Sequence, residues 1–258
     1  MGIDNQIYDR LGDGWWDESN PLNTLNGSFT PARIAYFRGV LDRMGRDPAG
    51  LRAVDIGCGG GFLAEEFARL GCRVVGVDLS EVSIGTARRH AAATGLDVGY
   101  AVAVGERLPL ADSCAELAYC CDVLEHVADL DRVIAETARV LKPGGIYLFD
   151  TINRTVASKL FFIKLPQEWR LTRVIDTAAH SWAMFIKPTE LEDRLRRHGL
   201  RLGEIVGLGP RANLVSMLWN LTQVRLGRLN FGEASRRMDV GQVRRTSVSY
   251  MGYAVKND

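Results

Sequence analysis

Short apolar runs alternate with amphipathic helical patterns from Leu51 to about Thr151, and this alternation constrains the fold more than any other feature. Such an order is typical of βαβ units, in which helices connect parallel strands. Five strands are predicted here, over residues 52–56, 73–77, 98–102, 115–121 and 146–151. Three helices are predicted between them, over residues 62–70, 81–93 and 130–141. The sequence therefore predicts an α/β fold around a parallel sheet.

The regular alternation ends after this region. A further helix is predicted over residues 189–198, and two last strands over 201–208 and 247–255. Irregular stretches at about 152–187 and 209–246 interrupt the pattern, and we expect these two insertions to form a lid over an acceptor.

The domain organisation follows from the same pattern. Residues 1–45 are predicted to be a helical and loop-like N-terminal cap, and residues 46–258 a single catalytic domain that contains both insertions.

Composition excludes several classes of function. The 258 residues carry a formal net charge of +1, with acidic and basic residues interspersed, so a nucleic-acid-binding surface is not expected. The five cysteines form no C-x-x-C pair, and their odd number argues against a secreted disulfide framework. The N-terminus lacks a signal-peptide pattern and no segment is long and apolar enough to span a bilayer. A cytoplasmic protein with a small-molecule substrate is predicted.

A glycine-rich segment, Asp55-Ile56-Gly57-Cys58-Gly59-Gly60-Gly61, joins the first predicted strand to the first helix. Glycines allow the backbone to approach a ligand closely, which indicates a nucleotide-like ligand. Counted from Gly57, the third glycine of the dinucleotide pattern G-x-G-x-x-G falls at Phe62; counted from Gly59 it falls at Ala64, so the spacing alone does not exclude a dinucleotide. Asp55 would also repel a pyrophosphate by roughly a few kcal/mol. A cationic sulfonium ligand avoids that repulsion.

Asp78 ends the second predicted strand. A carboxylate at this place can accept hydrogen bonds from both hydroxyls of a ribose. The competing role, a simple helix N-cap, is already filled by Ser80. We therefore assign Asp78 to a ribose.

Eight segments together match a known family. They are Trp15-Trp16-Asp17, Pro21-Leu22, Pro31-Ala32-Arg33, the glycine-rich segment, residues 121–127, residues 141–145, Asn153-Arg154 and Phe185-Ile186-Lys187-Pro188. The core resembles class I S-adenosylmethionine-dependent methyltransferases, and residues 8 to 208 more closely resemble ubiquinone-biosynthesis O-methyltransferases, which methylate polyprenyl catechols and related quinols. The resemblance implies a Rossmann-like, mostly parallel seven-stranded sheet with an antiparallel last strand and helices on both faces.

The resemblance implies that S-adenosylmethionine is the methyl donor. Its predicted contacts are Arg33, Asp55, Gly57, Cys58, Gly59, Asp78, Leu79, Glu106, Arg107 and Cys121. Arg33 can pair with the methionine carboxylate in a charge-assisted bond. Leu79 and Leu108 would enclose the adenine ring.

Asp122, Glu125 and His126 match the positions at which the family is thought to bind a divalent cation beside the acceptor oxygens. Two carboxylates and an imidazole suit magnesium, which would lower the pKa of the acceptor hydroxyl. Many class I methyltransferases carry the same Leu-Glu-His-Val segment without a metal. Without a metal, His126 or His180 is the general base. His90 and His198 are interpreted as structural.

The acceptor is where the chain departs from the family pattern. Asn23 stands where the family typically has histidine, and residues 211–246 form a longer stretch than in the family. A catechol or quinol hydroxyl and a hydroxyl of a natural product such as a polyketide are both open. The same fold would also support C- or N-methylation. A nicotinamide-dependent oxidoreductase or a non-catalytic cofactor-binding protein would share the strand, glycine turn and helix.

Residues 159–170 mix bulky apolar and basic side chains. Such a composition can lie on an anionic membrane surface, which would suit a polyprenyl substrate and a position at the inner face of a membrane. The segment could equally form a lid over the acceptor, and the two roles are compatible.

Overall fold

A computed structural model of the chain describes residues 6–170, 172–173 and 180–258. The N-terminal residues 1–5 of the predicted cap, and residues 171 and 174–179 of the first predicted insertion, lie outside the described residues. Eight strands are described: β1 (Arg52–Ile56), β2 (Arg73–Asp78), β3 (Val98–Val102), β4 (Ala115–Cys120), β5 (Leu141–Ile152), β6 (Leu200–Pro210), β7 (Val240–Val243) and β8 (Ser249–Lys256).

The helices in the described part of the chain are α1 (Ile7–Leu11), α2 (Thr30–Arg43), α3 (Phe62–Arg69), α4 (Glu81–Ala93), α5 (Leu130–Val140), α6 (Val156–Lys159), α7 (Pro188–Arg197), α8 (Leu214–Arg225) and α9 (Phe231–Met238). A π-helical segment, Leu160–Glu168, continues α6. None of the described helices has the length and apolar character needed to cross a membrane.

The strands form a single sheet in the order β3-β2-β1-β4-β5-β8-β6-β7. The first five in this order are parallel to one another, and β8 lies between β5 and β6, antiparallel to both. The predicted α/β fold with an antiparallel last strand is therefore confirmed. The sheet has one strand more than the seven expected, because β7 adds to the edge of β6 in antiparallel orientation.

Helices cover both faces of the sheet, as the apolar patterns predict. Successive strand residues point to opposite faces, so each strand contributes to two cores. On one face Leu117 and Leu148 pack with Phe67 of α3. On the other face Phe149 packs with Val133 of α5. The rigid sheet between these cores fixes the positions of the loops at its edge.

The loops that follow β1, β2 and β4 meet at one edge of the sheet, because the carboxyl ends of parallel neighbouring strands lie together. The register places Ile56 beside Val77, and Asp55 beside Tyr119 of β4. The glycine-rich segment, Asp78 and the loop after Cys120 therefore share this edge.

Candidate active site

The glycine-rich turn is fixed by its neighbours. The amides of Gly57 and Cys58 donate to the Val77 carbonyl at 2.7 and 3.0 Å. Gly57 has φ +76°, and a Cβ at this position would lie 2.2 Å from Cγ2 of Val123. Both the conformation and the close approach require glycine. The turn therefore brings the end of β1 against the loop that follows β4.

Asp78 connects this turn to α4. Its Oδ2 accepts a hydrogen bond from the Gly59 amide at 2.8 Å, and its Oδ1 accepts one from the Ser80 amide at 2.9 Å. Burial raises the pKa of the Asp78 carboxyl. Each oxygen has further acceptor capacity, so the predicted bonds to a ribose stay a prediction that this geometry allows.

Three other residues that are predicted to contact the methyl donor, S-adenosylmethionine, have buried side chains. Asp55 is buried at the end of β1, and burial raises the pKa of its carboxyl. The thiols of Cys58 and Cys121 lie in the core on one face of the sheet. Contacts from these three residues to the donor would therefore come mainly from backbone atoms.

The residues predicted around the adenine ring are only partly brought together. Leu79 is strongly exposed at the end of β2 and Arg107 is also exposed, so both can meet a ligand. Glu106 instead accepts a hydrogen bond from the Ala128 amide at 3.1 Å, which fixes the loop before α5. Leu108 is buried in the core, and its amide donates to Glu136 at 2.9 Å. The expected contact of Leu108 with adenine stays a prediction, and the burial of its side chain does not support it.

Residues 7–25, which we call the N-terminal strap, cover the glycine-rich turn. A Cβ at Gly60 would lie 2.3 Å from Cγ of Trp15, so the indole lies directly on this backbone. Trp15 Nε1 donates to the Ser83 hydroxyl at 2.9 Å, and Trp16 Nε1 donates to the Gly60 carbonyl at 2.9 Å. The strap therefore contacts both the turn and α4.

Two further contacts hold the strap. The Trp16 indole stacks on the His90 ring at a centroid distance of 3.4 Å, which gives this histidine a structural place. Asn23 is buried, and its side-chain amide donates to the Trp15 carbonyl at 2.8 Å. Asn23, which the sequence associates with the choice of acceptor, thus forms a hydrogen bond within the strap.

Arg33 lies at the centre of a buried ionic cluster. Its guanidinium contacts the carboxylates of Asp122 and Asp150, and the Asp122 amide donates to Asp150 Oδ1 at 3.0 Å. Asp122 has φ +54°, an unfavourable conformation for a residue with a Cβ. Arg33 thereby joins α2 to the ends of β4 and β5. Its predicted bond to the methionine carboxylate stays a prediction.

A second cluster gathers the predicted catalytic residues. The rings of His126 and His180 lie 5.1 Å apart, and the Tyr8 hydroxyl lies 3.5 Å from Nε2 of His126. Burial lowers the pKa of His126 to about 4 and the pKa of His180 to about 3. Both imidazoles are therefore neutral at pH 7, and each has an unprotonated ring nitrogen that can accept a hydrogen bond.

Glu125 belongs to the same loop but turns toward the sheet. Its Oε2 accepts a hydrogen bond from the Thr151 hydroxyl at 2.7 Å, and the residue is buried. Burial, with the neighbouring Asp122 carboxylate, raises the pKa of the Glu125 carboxyl. A carboxyl in this environment favours its protonated form, which is a poor ligand for a cation.

The predicted magnesium site is not supported by this arrangement. In the described part of the chain no three side chains of the metal-binding types converge. Asp122 is paired with Arg33, Glu125 bonds to Thr151, and His126 faces Tyr8. Because the three residues are engaged in different directions, they do not fit a metal ion, and no chemical step is assigned to one.

Sequence reasoning missed Tyr8, Asp150 and Thr151. Asp150 and Thr151 end a predicted strand at the edge where ligands of such sheets bind, and that position could have identified them. Tyr8 carries no such signal. It reaches the site because α1 packs against α4, where the hydroxyls of Ser80 and Ser83 donate to the Tyr8 carbonyl at 3.5 and 3.4 Å.

Comparison with known sequences gives a consistent result. A family model described as a methyltransferase domain matches residues 54–149. The chain is 36% identical over 233 residues to the ubiquinone biosynthesis O-methyltransferase of Sinorhizobium fredii. The aligned region covers 86% of this chain and 91% of that protein. It is 36% identical over 208 residues to the ubiquinone biosynthesis O-methyltransferase of a Methylobacterium species, with coverages of 78% and 82%.

Comparison with solved structures concerns the fold. A methyltransferase from Thermotoga maritima that depends on S-adenosylmethionine superposes with a TM-score of 0.63 at 18% identity, covering 98% of this chain and 99% of the other. The cyclase SpnF superposes with a TM-score of 0.63 at 19% identity, covering 100% and 97%. Because the second protein is a cyclase, the fold alone does not determine the reaction.

Proposed function

Since the chain belongs to the ubiquinone biosynthesis O-methyltransferase family, we propose that it methylates a hydroxyl group of a hydrophobic catechol or quinol. The chain is an S-adenosylmethionine-dependent methyltransferase. This family membership leaves a nicotinamide-dependent reaction without support. What we propose is the class of acceptor molecule and the atom of it, a hydroxyl oxygen, that receives the methyl group.

The observation that carries the proposal is the pair of buried, neutral imidazoles of His126 and His180. They are connected to the predicted donor site by a series of contacts. The Tyr8 hydroxyl meets His126, the Tyr8 ring stacks on Trp15 at 6.2 Å, and Trp15 covers the glycine-rich turn. A proton acceptor beside the donor is what transfer to a hydroxyl requires, because the oxygen loses its proton as it is methylated.

Each group has a defined task in this proposal. S-adenosylmethionine supplies an electrophilic methyl group on a sulfonium. The carboxylate of Asp78 binds the ribose, and the turn at Gly57 admits the ligand close to the backbone. His126 accepts the acceptor proton, His180 lies beside it, and the Tyr8 hydroxyl can hydrogen-bond the acceptor or His126. Positioning of the two substrates supplies much of the remaining rate.

The surroundings of the imidazoles support an apolar acceptor. The His180 ring lies 5.6 Å from the ring of Phe162 and 6.1 Å from that of Phe185. Aromatic walls of this kind favour a catechol with an apolar substituent.

A panel of acceptors tests the proposal. Methyl transfer from S-adenosylmethionine is measured for a catechol with an isoprenoid tail, for the same catechol without the tail and for its di-O-methyl ether. The proposal predicts turnover of both catechols, a kcat/KM at least about tenfold higher for the tailed one, and no turnover of the ether. Equal kcat/KM for the two catechols would contradict the apolar acceptor site. Methylation of the ether would contradict transfer to a hydroxyl.

A further inference from the structure

Arg33 lies between two carboxylates at the edge of the sheet where ligands are expected. Its Nε contacts Asp150 Oδ2, its Nη2 contacts Asp122 Oδ2, and Nη2 also lies 3.3 Å from Asp150 Oδ1. The side chains of Arg33 and Asp150 are 3% and 1% exposed. Because one guanidinium faces two carboxylates, the cluster has a net negative formal charge when both aspartates are ionised.

The two aspartates are held in different ways. Asp150 lies within β5, where it pairs in register with Met251 of β8, and its side chain is buried. Asp122 lies in the loop after β4, its side chain is 23% exposed, and its φ of +54° is uncommon for a residue with a Cβ. The sheet therefore fixes Asp150, whereas Asp122 is the partner that a ligand can displace from Arg33.

The cluster adjoins the place where the methyl donor is predicted to bind. Val123, the residue after Asp122, approaches the glycine-rich turn so closely that a Cβ at Gly57 would lie 2.2 Å from its Cγ2. Burial raises the pKa of the Asp55 carboxyl at the end of β1, and the charge of Arg33 opposes that rise. Arg33 and Asp122 therefore lie beside the turn that is predicted to contact the donor.

A third carboxylate meets an obstacle at this cluster. The methionine carboxylate of the donor is predicted to pair with Arg33, but Asp122 and Asp150 already contact that guanidinium. Carboxylates that share a buried site repel one another, because little solvent is present to screen their charges. The carboxylate of a ligand and that of Asp122 also have the same shape and the same hydrogen-bonding groups. The two therefore compete for Arg33.

We propose that Asp122 occupies, in the free enzyme, the place on Arg33 that the donor carboxylate takes, and that the donor displaces Asp122 when it binds. Part of the binding energy is then used to separate Arg33 from Asp122. S-adenosylhomocysteine, the product formed from the donor, has the same carboxylate, so Asp122 also competes with it and promotes its release. The inference rests on the proposed use of S-adenosylmethionine, but it does not depend on which acceptor is methylated.

A different role for Asp122 would give the opposite result. The amino-acid end of the donor also carries an ammonium group, which an aspartate could bind. In that role Asp122 would strengthen binding of the donor, whereas the proposed competition weakens it. Loss of the Asp122 charge therefore changes the affinity in opposite directions in the two cases.

Isothermal titration calorimetry with three ligands tests the competition. Asp122→Asn removes the charge, and asparagine accepts a positive φ as aspartate does. S-adenosylhomocysteine has both the carboxylate and the ammonium, its decarboxylated form has the ammonium alone, and 5′-methylthioadenosine has neither. Asp122→Asn is expected to bind S-adenosylhomocysteine about tenfold more tightly than the wild type does, 5′-methylthioadenosine within about twofold, and the decarboxylated form no more tightly.

Asp112→Asn is the matched control for this substitution. Asp112 also pairs with an arginine, Arg139, but it precedes β4 and so lies at the opposite end of that strand. This variant is expected to bind all three ligands as the wild type does. Thermal unfolding checks that each variant is folded, and stopped-flow displacement is expected to show the gain of Asp122→Asn mainly as slower dissociation of S-adenosylhomocysteine.

A double-mutant cycle tests whether Asp122 acts through Arg33. In the Arg33→Gln background, the further change Asp122→Asn is expected to leave the affinity for S-adenosylhomocysteine unchanged, because the group for which the carboxylates compete is gone. Arg33→Gln alone is expected to weaken binding of S-adenosylhomocysteine and not that of 5′-methylthioadenosine.

Three results would overturn the proposal. If Asp122→Asn binds S-adenosylhomocysteine with unchanged affinity, Asp122 does not compete with the ligand. If it binds both S-adenosylhomocysteine and the decarboxylated form more weakly, Asp122 is a ligand of the ammonium. If Arg33→Gln binds S-adenosylhomocysteine normally, the donor carboxylate lies elsewhere. All of these measurements are made without an acceptor, so a wrong acceptor class would not affect them.

Discussion

The Asp78 carboxylate is shared between the fold and the predicted donor site, since it holds the Gly59 amide and faces the edge where a ribose would bind. We predict that Asp78→Ala weakens binding of S-adenosylmethionine by about a hundredfold or more. The substitution removes the charge-assisted hydrogen bonds to the Gly59 amide and to the ribose hydroxyls. Isothermal titration calorimetry gives the affinity. Asp97→Ala, an exposed aspartate before β3, is the control. Near-normal affinity of Asp78→Ala would contradict the site assignment.

His126 differs from an ordinary histidine in its ionisation. Burial disfavours the imidazolium, so the pKa of His126 falls to about 4. The residue should therefore stay neutral as the pH falls through the usual pKa of a free histidine, about 6.5, and gain its proton only near pH 4. NMR titration of the ring, assigned with the variant His126→Gln, measures this value. A midpoint near 6.5 would show that the ring is solvated.

The same variant tests the catalytic role of His126. Loss of a general base typically lowers the rate by about a hundredfold or more. We expect His126→Gln to lower kcat by that amount while the affinity for S-adenosylmethionine stays within about twofold of the wild-type value. An unchanged kcat would assign proton transfer to another group, such as His180.

At the scale of single residues, the local sequence identified the side chains that lie just after the predicted strands. Asp78 and His126 follow predicted strands, so their approach to one edge of the sheet could be anticipated. The partners of Arg33 could not, because Asp150 lies far away in sequence and the pairing depends on how α2 packs across the sheet. The predicted metal ligands failed for the same reason. Residue types and spacing predicted magnesium, whereas long-range contacts determine where the side chains point.

Among the elements of the fold, the N-terminal strap covers the glycine-rich turn, where the methyl donor is predicted to bind. Trp15 packs with Phe62 and covers Gly60, so Trp15→Ala leaves a cavity over the turn. We predict that it lowers the free energy of unfolding by about 3 kcal/mol and accelerates dissociation of S-adenosylmethionine about tenfold, as lids retain ligands. Thermal unfolding and stopped-flow displacement measure the two effects.

Trp16→Phe is the matched control for the strap. It keeps an aromatic ring against His90 but removes the hydrogen bond to Gly60, which is worth about 1 kcal/mol. We expect Trp16→Phe to change the free energy of unfolding and the dissociation rate of S-adenosylmethionine less than Trp15→Ala does. If Trp15→Ala destabilises the protein without changing the dissociation rate, the strap is structural only.

The sequence predicted the elements whose hydrophobic period matches their burial. β1, β3 and α4 have the predicted bounds: β1 is a short buried run that ends at the glycine turn, and α4 begins at its N-cap Ser80. Helix α8 was not predicted, since its buried side mixes Met217 with Asn220 and Gln223 while Val215 and Trp219 are exposed. Strand β7 is short and lies at the sheet edge, where alternation is weak.

In the molecule as a whole, family membership establishes a methyltransferase, and the sheet order agrees with the fold of such enzymes. The stretch that exceeds the family pattern contains α8, α9 and β7. Its helix α9 contacts the strap, because Arg236 pairs with Glu18 and Ser235 donates to the Thr24 carbonyl at 2.6 Å. This longer stretch thus supports the strap, which covers the glycine-rich turn.

Transfer of the methyl group of S-adenosylmethionine to an oxygen atom of an apolar catechol can be followed atom by atom. The protein is incubated with the tailed catechol and S-adenosylmethionine labelled with ¹³C in its methyl group, and the isolated product is examined by NMR. A labelled methyl carbon bonded to a single catechol oxygen is the predicted result. A label on a ring carbon, or no labelled product with the tailed catechol, would contradict it.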